Sequence, residues 1–121
     1  MKNLLENDYQ ILKTHFPSLT ELDYINKHCK YGRFIGNKNF LKKGYGQIIL
    51  YHLFSIAFNE EKMNKCYTQV FIDNQISIKS NIKFGMKKEG ILRENVLKDK
   101  YFKNVILFSM LKSEFKSKYE S

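Results

Sequence analysis

The stretch Lys42-Lys43-Gly44-Tyr45-Gly46-Gln47 lies between a short segment, Lys30 to Ile35 (KYGRFI), and an amphipathic run from Gln47 to Asn59. Its reading decides the fold. In the run, apolar residues fall at Ile49, Leu50, Leu53, Phe54, Ala57 and Phe58, which is helical spacing with one broad buried face. KYGRFI reads as a strand closed by Gly36-Asn37, a turn signal. The unit is therefore strand, glycine turn, helix. Such a turn presents unpaired main-chain N–H groups at the positive end of the helix dipole. That arrangement suits phosphate. Glycine lets the main chain approach a ligand with no Cβ in the way. Lys42 and Lys43 add positive charge beside it. Taken alone, the motif also reads as a plain strand-to-helix turn, with the lysines as surface charge and Tyr45 as a packing aromatic.

Outward from this unit, Lys65 to Ile72 (KCYTQVFI) is rich in aromatic and β-branched residues and reads as a strand. Asp73-Asn74 breaks it. A second helix follows from about Gln75 to Phe84, with Ile78 and Ile82 four apart on one face and Gly85 as its stop. Asn74 reads as its N-cap. Met86 to Leu97 and Asn104 to Leu111 read as closing strands. The second carries Val105-Ile106-Leu107-Phe108, apolar on both faces, so it should be central or covered. Before the glycine unit, Tyr9 to Lys13 and Leu19 to Ile25 read as short strands. Lys116 to Ser121 reads as a polar tail. The order is β-β-β-α-β-α-β-β, a mixed α/β (α+β) sheet with helices packed on it.

Composition bounds the classes open to the chain. With 121 residues there is room for one domain. Hydrophobic residues make up 43% and charged residues 27%, which excludes intrinsic disorder, and ten Phe and eight Tyr can fill a core. No apolar run approaches a membrane span, and residues 1–10 show no signal-peptide pattern, so a cytoplasmic setting is expected. Cys29 and Cys66 lack CxxC spacing and read as free thiols. His28 and Cys29 are neighbours on a strand, point to opposite faces, and so do not share a metal; none is expected. The net charge of +9 fits phosphate-bearing small molecules, nucleic acid or a solvated surface. The lysines are dispersed, and no nucleic-acid-binding motif accompanies them.

Two longer stretches, GRFIGNKNFLKKGYGQIILYHLFSIAF (32–58) and VFIDNQISIKSNIKFGMKKEGILRE (70–94), together resemble the core of GNAT-superfamily N-acetyltransferases. The likeness is closest to the nucleotide-amino-sugar N-acetyltransferases of pseudaminic-acid synthesis. It extends to families that modify ribosomal-protein N-termini and polyamines. LTELDYINKHCKYGRFIG (19–36) looks like the two strands ahead of that family's pyrophosphate loop, so the likeness spans about Ser18 to Phe115.

The resemblance implies a mostly antiparallel sheet and acetyl-CoA as acetyl donor. The pyrophosphate loop falls on Leu41 to Gly46, with Gly44 and Gly46 matching and Leu41 standing where Arg or Gln is usual. The strand Tyr31 to Ile35 would splay from Tyr67 to Ile72, and pantetheine would enter the gap. The implied cofactor-binding set is Phe34, Ile35, Lys42, Lys43, Gly44, Tyr45, Gly46, Gln47, Asn74, Ser77, Asn81 and Lys83. The tyrosine that serves many relatives as acid falls on Asn81, which keeps an amide able to donate a hydrogen bond. Asn81 also reads as an ordinary solvated helix residue.

Acetyl transfer to an amine also needs a base, and Glu21 and Asp23, on one face of the candidate strand Leu19 to Ile25, are the choices for it. Residues 1–17 are too few for the family's first strand and two helices, which wall the acceptor site. The chain is thus expected to be a single domain with a diverged N-terminal segment. Its acceptor pocket is expected to be incomplete or built by a second subunit of a homodimer. The implied activity is acetyl transfer to a primary amine of a small molecule, such as a nucleotide-linked amino sugar, with no membrane partner. The alternative is a remnant that binds CoA without turnover.

Overall fold

The computed structural model describes residues 19–32 and 46–120. Its order is β1 (Leu19–Asp23), β2 (His28–Tyr31), α1 (Gly46–Ser55), a π-helical turn (Ile56–Glu60), β3 (Lys65–Phe71), α2 (Gln75–Phe84), β4 (Lys87–Lys98), β5 (Tyr101–Leu111) and α3 (Lys112–Tyr119). The five strands form one sheet in the order β1-β2-β3-β5-β4. Only β2 and β3 run parallel; the other neighbours are antiparallel. This is the mixed, mostly antiparallel α+β architecture expected from the sequence. The expected strand at Tyr9 to Lys13 lies outside the described residues.

The core lies between one face of the sheet and the helices. Phe54, Phe58, Phe84, Phe108 and Phe115 are fully buried there. The rings of Phe54, Phe58, Phe84 and Phe115 meet in edge and tilted pairs, Phe54 with Phe58 at 5.9 Å and with Phe84 at 5.1 Å. The apolar face expected for α1 packs as read, through Ile49, Leu50, Phe54, Ala57 and Phe58. The helix widens at its end, where the Glu61 N–H bonds the Ile56 carbonyl five residues back. β5 sits between β3 and β4 with Val105, Ile106 and Phe108 buried, as its doubly apolar run requires. Cys29 and Cys66 face each other as register partners, both free and buried. Their mutual hydrogen bond, with burial, pushes the Cys66 thiol well above its usual range.

Four details differ from the sequence reading. β1 ends at Asp23, because the Asp23 carboxylate accepts the N–H groups of Ile25 (3.0 Å) and Asn26 (2.9 Å) and folds a turn there. β4 and β5 extend to a two-residue turn at Asp99-Lys100, both at positive φ, because cross-strand pairing carries the polar residues along. The stretch from Lys116 read as a polar tail belongs to α3. Phe115 and Tyr119, four apart, dock that helix on the core, with Tyr119 stacked on Phe84 at 4.8 Å. The stripe Ile78–Ile82 is only half buried: Ile78 packs against the core and Ile82 does not. Ile82 is 58% exposed, and the helix turns Asn81 and Phe84 inward instead.

Candidate active site

The parallel ladder sets the site. Its register pairs His28 with Lys65, Cys29 with Cys66 and Lys30 with Tyr67, and among the described residues it goes no further. The next rung would pair Tyr31 with Thr68. Instead the Thr68 hydroxyl donates to the Tyr31 carbonyl at 3.2 Å, taking the acceptor that a ladder bond would use. β3 continues to Phe71, held on its other side by β5. A cavity of about 270 Å³ opens beside this end of β3, between α1 and α2. Gly46, Leu50 and Leu53 line it from α1, Thr68 and Val70 from β3, and Ser77 and Asn81 from α2.

The expected site residues sort into three groups. Phe34, Ile35, Lys42, Lys43, Gly44 and Tyr45 lie outside the described residues. Gly46, Asn74, Ser77 and Asn81 are brought to the cavity wall. Gly46 opens α1, and a Cβ built on it would meet nothing within 4 Å among the described residues. Asn74 caps α2 by accepting the Ser77 N–H at 3.2 Å. Asn81 is not a solvated helix residue: it is 3% exposed, and its Oδ1 accepts the Tyr31 hydroxyl at 2.8 Å. Gln47 does not line the cavity. Its Nε2 bonds the Ser80 carbonyl (3.0 Å) and hydroxyl (3.3 Å), clamping α1 to α2. Lys83 is exposed and away from the cavity, because it sits two residues past Asn81, on another side of the helix.

The acidic pair also separates. A bulge between Thr20 and Asp23, with Glu21 at φ 49°, breaks the alternation that was to place Glu21 and Asp23 on one face. Asp23 is spent on its turn, and the Asn26 N–H and side-chain amide hold its carboxyl below the usual range, which suits an anchor better than a base. Glu21 accepts the Tyr67 hydroxyl at 3.0 Å. Burial, aided by that carboxylate, pushes the Tyr67 hydroxyl up to about 12.

Sequence reasoning did not single out Tyr31 and Thr68, which line the cavity. Tyr31 reads as one member of a strand, and its partner Asn81 lies 50 positions away. Among the described residues, no group of three His, Cys, Asp or Glu could hold a metal, and no helix is long and apolar enough to cross a membrane.

No protein-family model and no curated protein matches the chain. Solved structures do. A point mutant of spermidine N-acetyltransferase SpeG from Vibrio cholerae superposes with a TM-score of 0.75 at 21% identity, over 80% of this chain and 57% of that one. The fold is theirs. Glutamate-to-glutamine forms of the spermidine/spermine N-acetyltransferase SpeG from the same organism give 0.78 at 20% identity, over 84% of this chain and 60% of that one. Its complex with manganese ions gives 0.77 at 20% identity, over 84% and 59%. The chain thus has the fold of GNAT acetyltransferases and spans somewhat less than two thirds of the length of these structures.

Proposed function

We propose that the chain is an acetyl-CoA-dependent N-acetyltransferase that moves an acetyl group to a primary amine of a small molecule. The observation that carries this reading is the cavity at the point where the β2–β3 ladder stops, walled by the glycine end of α1 and the buried amide of Asn81. The residues present fit acetyl-CoA. The first N–H groups of α1, beside Gly46, would hold its phosphates, and the charge of +9 favours a polyanion. Asn74, Ser77 and Thr68 would line its pantetheine arm. The bound thioester supplies an activated acetyl group, and the chain's work is orientation and polarisation.

The sequence resemblance supports a nucleotide-linked amino sugar as acceptor. The fold neighbours, named for spermidine, support an amine without specifying which. A homodimer in which the second copy walls the acceptor site belongs to the same proposal, and light scattering reads it.

Gly46→Asp tests the cofactor site. A Cβ there meets nothing within 4 Å among the described residues, and a thermal melt reads whether the variant folds. The variant should lose acetyl-CoA binding in calorimetry, and unchanged affinity would sink the assignment. CoA release, assayed with a panel of polyamines and amino-sugar nucleotides, tests turnover. Tight binding of acetyl-CoA with no turnover on any amine would make the chain a CoA-binding remnant.

A further inference from the structure

The chain has two cysteines, and the fold sets them side by side. Cys29 and Cys66 are register partners in the parallel β2–β3 ladder, and both side chains are fully buried in the core. Neighbouring strands lie about 4.8 Å apart, so register partners fall within the span of about 4.4–6.8 Å that a disulfide allows between Cα atoms. The Cβ atoms of a disulfide lie closer, at about 3.8 Å, so joining these two thiols tilts the strands together by up to about 1 Å. β3 is held by β5 along its whole length, whereas β2 has four residues. The tilt therefore falls on β2. Two residues further along each strand, and so on the same face, Tyr31 and Thr68 line the cavity.

We propose that Cys29 and Cys66 are a redox modification site, where a small peroxide joins them in a disulfide that draws β2 onto β3 and narrows the gap beside the cavity. The proposal rests on the acetyl-CoA site described above. Hydrogen peroxide is little larger than water, and a strand as short as β2 opens locally at low cost. One thiolate attacks a peroxide oxygen, the O–O bond breaks, and a sulfenic acid forms; the departing hydroxide takes that thiol's proton and becomes water. The second sulfur then attacks the first, and the sulfenic hydroxyl leaves as water with the second thiol's proton. The two thiols give up two electrons and two protons, and the peroxide becomes two waters. Cys29 takes the first role. The hydrogen bond with Cys66 holds the Cys29 thiol below its ordinary value, while the Cys66 thiol is pushed up. A disulfide closed under strain is readily reduced, which makes the change reversible.

The test uses the reduced, folded full chain. Hydrogen peroxide is added, remaining thiols are alkylated in denaturant, and the intact mass is read. The chain should become lighter by two hydrogens and take up no alkylating agent, and its digest should contain a peptide pair linking Cys29 to Cys66. Calorimetry should show acetyl-CoA binding several-fold weaker after oxidation, with the affinity restored by dithiothreitol. Cys66→Ala should stop at a sulfenic acid on Cys29, trapped by dimedone, and should keep its affinity under peroxide. A thermal melt reads whether that variant folds; if it does not, the unaltered chain decides. Thiols that remain fully open to alkylation, a link between two chains, or a Cys29–Cys66 bond that leaves the affinity unchanged would each overturn the proposal and leave the acetyl-CoA site standing. A reduced chain that binds no acetyl-CoA would overturn both.

Discussion

The two edges of β3 are built differently. Toward β5 the antiparallel ladder runs the length of the strand, from Lys65 opposite Leu111 to Phe71 opposite Val105. Toward β2 the parallel ladder stops at Lys30 and Tyr67, and polar side chains take over. On the β5 edge main-chain groups are consumed inside the sheet, and Phe108 and Met110 seal the core. On the β2 edge Thr68, Tyr31 and Asn81 are buried polar groups around a cavity, and one of their donors has no partner among the described residues. Under the proposed function, stability and ligand binding would lie on opposite edges of one strand. A change on the β5 edge should move stability alone, and one on the β2 edge should move binding more than stability.

Phe108→Ala should produce the largest effect. The ring is 1% exposed in the core, and its removal should cost about 3–5 kcal/mol, read as a fall in the denaturation midpoint. The fraction still folded should bind acetyl-CoA with unchanged affinity; a matching loss of affinity would break the separation of the two edges.

Gly85→Ala probes the joint between them. Gly85 sits at φ 114°, and a Cβ there would lie 3.0 Å from Met110 Cε and 3.2 Å from Lys118 Cδ. Its N–H and that of Met86 both bond the Asn81 carbonyl. The strained backbone should cost about 1–2 kcal/mol. Displacement of Asn81 should also weaken acetyl-CoA binding several-fold, so melts and calorimetry should move together.

Thr68→Val is smaller in stability and sharper in function. It removes the bond that replaces the missing rung, for about 1 kcal/mol. The freed Tyr31 carbonyl should let β2 shift, and acetyl-CoA affinity should change several-fold while the melting midpoint falls by only a few degrees.

The smallest effect is electrostatic. Glu89 on β4 pairs with Lys65 on β3 at 2.6 Å, and that bond holds its carboxyl below the ordinary glutamate value of 4.5. A group with a depressed folded value contributes stability above its unfolded value and loses it as pH falls through the folded one. The pair is partly exposed, so the loss on acidification below about 4.5 should be near 0.5 kcal/mol or less. Lys65→Met should remove that part of the acid slope, without altering acetyl-CoA binding at neutral pH.

Local patterns were legible in the sequence for a local reason. The buried face of α1, the cap at Asn74, the stop at Gly85 and the sheltered run in β5 each follow from spacing or conformational preference within a dozen residues. Such signals also marked Gly46 and Asn74, and the resemblance marked Ser77; the fold brings all three to the cavity. Tertiary structure decided the rest. Isoleucines at 78 and 82 suggested one face of α2, yet the packing of Phe84 against Phe54 turned Asn81 inward. Phe115 and Tyr119 make a helix of a polar stretch only because Phe84 is there to receive them. The contact between Tyr31 and Asn81 joins residues 50 positions apart, and the hydroxyl of Thr68 reaches a carbonyl 37 positions away. No window of sequence contains either pair, because a hydrogen bond depends on where two chain segments meet and not on the pattern within either one.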